Sequence, residues 1–231
     1  MTEFILVAGA KLGAWAWDEV VPELRAAGHE VHALTLSGLA EKRGTPAGQQ
    51  THVQDIVEAV ERLDVRDVVL VGHSYSGIPV GQAAQRIGDR LRRVVYVDAS
   101  VPADGKSFLW GWPSDGVRAA IEANDGFWAP FEAEDLAEQD LTDEQIARLV
   151  RDSTPHPGAS LTEPAVLTHS LAEMPTTYVK CLLDWPEPGD DVAELLKSDR
   201  WELVTMNTGH WPMLSQPREL ARILDESADR P

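Results

Sequence analysis

One cysteine, Cys181, stands in the whole chain, which excludes an internal disulfide and a thiolate metal cluster. It lies in the apolar run from Tyr178 to Leu183 and is expected to be a buried structural thiol in a reducing compartment. Positive charge is also scarce: 20 Lys and Arg against 38 Asp and Glu leave a formal net charge of -18. Such a surface repels phosphate backbones and anionic lipid, so nucleic acid and membrane are poor partners. No apolar stretch is as long as a membrane span, and the opening MTEFILVAGA has an acidic residue where a secretory leader has a basic one, so a cytoplasmic protein is expected. Internal repeats, long linkers and low-complexity tails are absent as well.

The 231 residues suit one domain, 1–231, with a full core. Phe4 to Val7, Val31 to Leu34, Val68 to Val71, Val94 to Val97, Tyr178 to Leu182 and Leu203 to Thr205 are short apolar runs rich in β-branched residues, the pattern of strands buried on both faces. Helical spacing lies between them, over Trp17 to Ala27 and over Val53 to Leu63. Strand and helix in alternation predict an α/β fold with a mostly parallel, doubly wound sheet of about six strands. The alternation fails over approximately 101–175, where tryptophan, proline and acidic residues crowd together. This segment is expected to be a helical cap insertion above the sheet, with Thr142 and Gln145 opening one helix as a capping box. A last helix is expected to be capped near Ser215 or Gln216.

The chemistry points to VVLVGHSYSGIPVGQAA, Val68 to Ala84, where a buried strand turns through glycine and serine into a small-residue helix. A G-x-S-x-G turn holds its serine at a sharp strand-to-helix bend with the hydroxyl clear of the backbone. Gly72-His73-Ser74-Tyr75 fits, with Ser76 at the fifth position. Ser76 is small enough for the bend at some cost in strain; Ser74 is the better nucleophile, because with Ser76 in that role the branched Ile78 would occupy a crowded position. The plain alternative is a βα turn with serine near a helix N-cap and no chemistry.

A serine hydroxyl needs a base. Among the seven histidines His210 is the candidate, because GHWPMLSQPREL follows the Leu203 to Thr205 run and so lies at the C-terminal edge of the sheet, where ligands of open α/β sheets bind. His29, His32 and His52 suit solvated or capping roles, His73 lies on the turn itself, and His156 and His169 are expected at the surface or in packing. An acid should orient the imidazole in the order Ser, Asp, His. Asp184 and Asp98 both end strands, and position does not separate them.

Nearly the whole chain resembles the α/β-hydrolase superfamily, in the branch of plant methyl esterases, hydroxynitrile lyases and bacterial esterase relatives. FILVAGAKLGAWAWDEV, GHSYSG, VVYVDASVP, YVKCLLD and GHWPMLSQPREL are similar to its opening turn, nucleophile turn, later strands and histidine loop. The resemblance implies the α/β-hydrolase fold, assigns the acid to Asp184 and forms the oxyanion hole from the backbone N–H groups of Ala10 and Tyr75. Three positions depart from the family pattern: Ala8 stands for the usual histidine, Lys11 for a small or polar residue and Ser76 for glycine. The lyases use a lysine directly after the histidine; here it is Trp211, which disfavours cyanohydrin cleavage.

The expectation is a serine carboxylesterase acting through Ser74, Asp184 and His210 on a small or medium hydrophobic ester, without metal or organic cofactor. Lys11, Trp110, Trp128 and Trp211 are the candidate substrate-binding residues, and Phe108, Trp112, Phe127 and Phe131 complete an aromatic set able to line a cleft or merely to pin the insertion down. Two alternatives share the fold: a thioesterase, acyltransferase or cyclase with the same triad, and a small-molecule binding protein.

Overall fold

The computed structural model describes residues 1–110 and 114–230. The strands are β1 (Glu3–Val7), β2 (Glu30–Leu34), β3 (Val68–His73), β4 (Leu91–Val97), the two-residue β5 (Phe127–Trp128) and β6 (His156–Pro157), β7 (Thr176–Cys181) and β8 (Trp201–Met206). Six of them form one parallel sheet in the order β2-β1-β3-β4-β7-β8, and the six expected runs lie in it except for Leu182, which falls one residue past β7. Successive side chains alternate between two cores. Ile5, Val7, Val68, Leu70, Val94 and Tyr96 pack on one face, while Phe4, Leu6, Val69, Val71, Val95 and Val97 pack on the other.

The helices are α1 (Val20–Ala26), α2 (Gln49–Leu63), α3 (Gly77–Ile87), α4 (Asp115–Ala123), α5 (Asp143–Asp152), α6 (Gly158–Thr162), α7 (Asp190–Leu195), α8 (Pro212–Ser215) and α9 (Pro217–Ala228). α2 turns Val53, Ile56, Val57 and Val60 into the first core, where full burial of each such side chain contributes about 2 kcal/mol. It starts four residues before the expected Val53, because Glu163 in the insertion reaches across to accept the Gln49 N–H at 2.6 Å. The expected helix over Trp17 to Ala27 is instead a 3-10 turn, Ala14–Trp17, followed by α1. The 3-10 turn is held at its start by Thr35 Oγ1, which accepts from the Ala14 N–H at 2.8 Å.

Between β4 and β7 lie α4, the antiparallel pair β5-β6, α5 and α6. Thr142 and Gln145 form the capping box of α5: Thr142 Oγ1 accepts from Gln145 N, and Gln145 Oε1 accepts from Thr142 N at 2.8 Å. At the last helix neither Ser215 nor Gln216 caps with its side chain; Pro217 opens α9, its missing N–H being one the first turn does not need. No helix of the described residues is long and apolar enough to cross a membrane. Cys181 is fully buried, and burial pushes its thiol up.

Candidate active site

β3 ends at His73, and the chain bends into α3 through Ser74, whose φ is +55°. A non-glycine residue in this region costs of order 1–3 kcal/mol and persists only when its surroundings hold it. Here the Ser100 N–H donates to the Ser74 carbonyl at 3.1 Å. The Ser76 hydroxyl accepts the His73 N–H at 2.8 Å and faces the carbonyls of Val7 and His73 at 2.7 and 2.9 Å. Ser76 is therefore not a strained substitute for glycine: its φ of -66° is helical, and its hydroxyl ties β1 to the bend. The crowded position is Gly77, where a Cβ would come within 2.2 Å of the Ser100 carbonyl oxygen.

Strand order then brings the rest together. Ser74 follows β3, Asp98 follows β4, Asp184 lies beyond β7 and His210 beyond β8, all at the C-terminal edge of the sheet. His210 Nε2 stands 2.9 Å from Ser74 Oγ, and Nδ1 stands 2.6 Å from Asp98 Oδ2. Asp184 Oδ2 is 3.6 Å from Nδ1, beyond a hydrogen bond. The carboxylate bonded to the imidazole is thus Asp98, a departure from the assignment to Asp184. Asp98 comes directly after the last residue of β4, whereas Asp184 lies three residues past Cys181 on a half-buried turn. Lys180 Nζ and the Cys181 N–H both donate to Asp98 Oδ1, fixing its rotamer.

Burial pushes the Asp98 carboxyl up, but bonding and charge from His210 and Lys180 outweigh this and hold it below the usual carboxylate range. Asp184 moves upward, through burial and the neighbouring Asp98 charge, against the pull of His210. An ionised Asp98 only accepts, so Nδ1 carries the proton and the Nε2 lone pair faces the Ser74 hydroxyl, a tautomer inferred from the bonding pattern. Gln139, from the insertion, accepts the His210 backbone N–H at 2.7 Å.

The loop after β1 lies against the serine because residue 9 is glycine: a Cβ there would stand 2.8 Å from both Ser74 Cβ and His73 Nδ1. The Ala10 N–H has no acceptor among the described residues. Lys11 has φ +69°, held from both sides by the insertion: its N–H donates to His156 Nδ1 at 3.1 Å and its carbonyl accepts the Thr154 N–H at 2.9 Å. His156 Nε2 must then carry the proton, and it meets Ser160 Oγ at 2.8 Å. His52 Nε2 donates to the Ser37 carbonyl at 2.8 Å, so its Nδ1 accepts the Tyr75 hydroxyl at 2.8 Å. The residues on both sides of the expected oxyanion hole are therefore anchored by neutral, fully buried histidines. Burial lowers the pKa of His52, and burial together with the nearby Lys11 charge lowers that of His156. The solvated or capping role expected for His52 is thus corrected, and His156 is deep packing rather than surface.

A cavity of about 790 Å³ opens over Ser74 and is lined by Ala10, Lys11, Trp110, Trp128, Asp184, His210 and Trp211 among others. Tyr75 is not in its wall, since the ring turns into the core. Trp110 is 58 % exposed at the mouth, while Trp211 is buried with its ring edge-on to His210 at 5.1 Å. Trp112 lies outside the described residues. Asp98, Asp184 and His210 offer three atoms within 4.8 Å of one another, but Lys180 already compensates Asp98 and the imidazole proton already occupies Nδ1.

The model of the alpha/beta hydrolase family matches residues 4–223. Among curated proteins, a carbendazim hydrolyzing esterase from Nocardioides sp. is 29% identical, over 97% of this chain and 98% of that one. Methyl jasmonate esterase 1 of Vitis vinifera is 27% identical, over 96% of this chain and 95% of its own length. Among solved structures, an extracellular alpha/beta-hydrolase from a Paenibacillus species superposes with a TM-score of 0.87 at 20% identity, each chain fully covered, a likeness of fold.

Proposed function

This chain belongs to the alpha/beta hydrolase family and is an ester hydrolase, and we propose that it is a serine carboxylesterase with Ser74 as nucleophile and His210 as base. The observation that carries this reading is the line of contacts from Ser74 Oγ to His210 Nε2 at 2.9 Å and from Nδ1 to Asp98 at 2.6 Å. Nε2 takes the hydroxyl proton as Oγ attacks the ester carbonyl, and the resulting imidazolium is stabilised by the Asp98 carboxylate, with Asp184 close behind. The Ala10 and Tyr75 N–H groups receive the charge that develops on the carbonyl oxygen. Nε2–H then protonates the leaving alcohol, and the same base activates water to release the acid from the acyl-enzyme.

The cavity is rimmed by Phe108, Trp128, Phe131 and Trp211, which favours small or medium hydrophobic esters. A fluorophosphonate probe tests the reading, because it reacts only with an activated serine. Labelling of the wild type at Ser74, with none in Ser74→Ala, is expected; a folded wild type that takes no label contradicts it.

A further inference from the structure

Lys11 is buried to 3 % exposure in the wall of the cavity that holds Ser74 and His210. Its backbone is fixed in a left-handed conformation by His156 and Thr154, and its ammonium lies over the rings of Trp128 at 3.9 Å and Phe131 at 4.3 Å. Ring faces stabilise the charge but accept no conventional hydrogen bond. Among the described residues Nζ has neither a hydrogen-bond acceptor nor an ion-pair partner. A buried ammonium with three donors and no acceptor is costly unless something else supplies one. The aromatic faces hold the group in place and leave its N–H bonds for a ligand.

We propose that Lys11 is a specificity residue that selects esters carrying a neutral acceptor oxygen on the acyl chain close to the scissile carbonyl. Lys11 is the neighbour of Ala10, whose N–H faces the ester carbonyl in the reading above, on which this inference rests, and the proposal sets the acceptor oxygen on the acyl side of that carbonyl. Neutrality follows from the other walls of the cavity, where Asp98, Asp135, Asp184, Glu187 and Asp191 oppose a second full negative charge. The cation nevertheless persists at neutral pH. Burial brings its pKa down to about 8, against the charges of Asp135 and Glu132, and the adjoining His156 is neutral.

p-Nitrophenyl methoxyacetate and p-nitrophenyl butyrate form a matched pair, with one leaving group and an oxygen in place of a methylene. Their ratio of kcat/KM, measured for the wild type, Lys11→Met and Lys11→Gln, isolates the Lys11 contact, because effects common to both esters cancel and their intrinsic difference in reactivity is the same for all three proteins. A charge-assisted hydrogen bond predicts a wild-type ratio about tenfold above that of Lys11→Met. It also predicts that the wild-type ratio declines as pH rises through about 8, a measurement that needs no variant. A ratio equal in wild type and both folded variants, or flat from pH 7 to about 9 across the Lys11 titration, overturns the proposal while leaving the esterase reading intact. A wild type that hydrolyses neither ester overturns both.

Discussion

His210 donates from Nδ1 to Asp98 at 2.6 Å, a full ångström nearer than it stands to Asp184. Asp98→Asn removes the acceptor that sets the imidazole tautomer, so kcat for p-nitrophenyl butyrate is expected to fall by about 10²–10⁴. Asp184→Asn, which breaks no bond to the imidazole, should cost about tenfold or less, the scale of a neighbouring charge. Equal losses, or a larger loss at Asp184, would show that the two carboxylates exchange roles during turnover.

Three buried rings make folding sensitive to acid. Burial lowers the pKa of His73, with the His210 charge adding, to about 3, and it lowers those of His52 and His156. Below about pH 6.5 the unfolded chain binds protons that these folded rings refuse, so stability is full above that value and falls with falling pH. His73 alone contributes a slope of about 1.4 kcal/mol per pH unit between 6.5 and about 3. Urea unfolding at pH 7.5, 6.0 and 5.0 should show a loss of at least about that size between the last two; a flat profile would refute it.

Ser76→Val deletes the hydroxyl that accepts the His73 N–H and bonds back to the carbonyls at the bend. Leaving those groups buried and unpaired should cost about 2–4 kcal/mol and lower Tm by many degrees. Ser76→Ala should cost about 1–3 kcal/mol, for the same lost bonds without the added branch. An unchanged Tm in Ser76→Val would mean that the hydroxyl is not a tie between β1 and the turn.

His156→Phe keeps a ring of similar size but leaves the Lys11 N–H without its acceptor. The left-handed turn beside Ala10 should loosen, with kcat falling about tenfold, the scale of one lost hydrogen bond. His156→Asn supplies an oxygen in place of Nδ1 and should recover part of the loss. Equal kcat in both variants would mean that the ring merely fills space.

The sheet was legible because each central strand is buried on both faces and so reads as an unbroken β-branched run, as in Val68 to Val71. The turn at Ser74 and the loop at His210 were legible because each is a local pattern at a strand end. The bonded acid was not, since Asp98 and Asp184 differ only in how β4 and β7 lie beside His210 and in the pull of Lys180, a residue inside an apolar run. Gln139 and the anchoring roles of His52 and His156 were illegible for a related reason: each acts on an element distant in sequence, and a lone buried histidine has no signature in the chain. The early start of α2 at Gln49 depends on Glu163 in the same way.

Steady-state hydrolysis of p-nitrophenyl butyrate by the wild type, Ser74→Ala and His210→Gln tests the central claim most directly. Measurable wild-type turnover, with kcat reduced by at least about 10³ in each variant and melting temperatures kept, is the result that nucleophile and base at 2.9 Å require. Turnover that survives Ser74→Ala in a folded protein would contradict it.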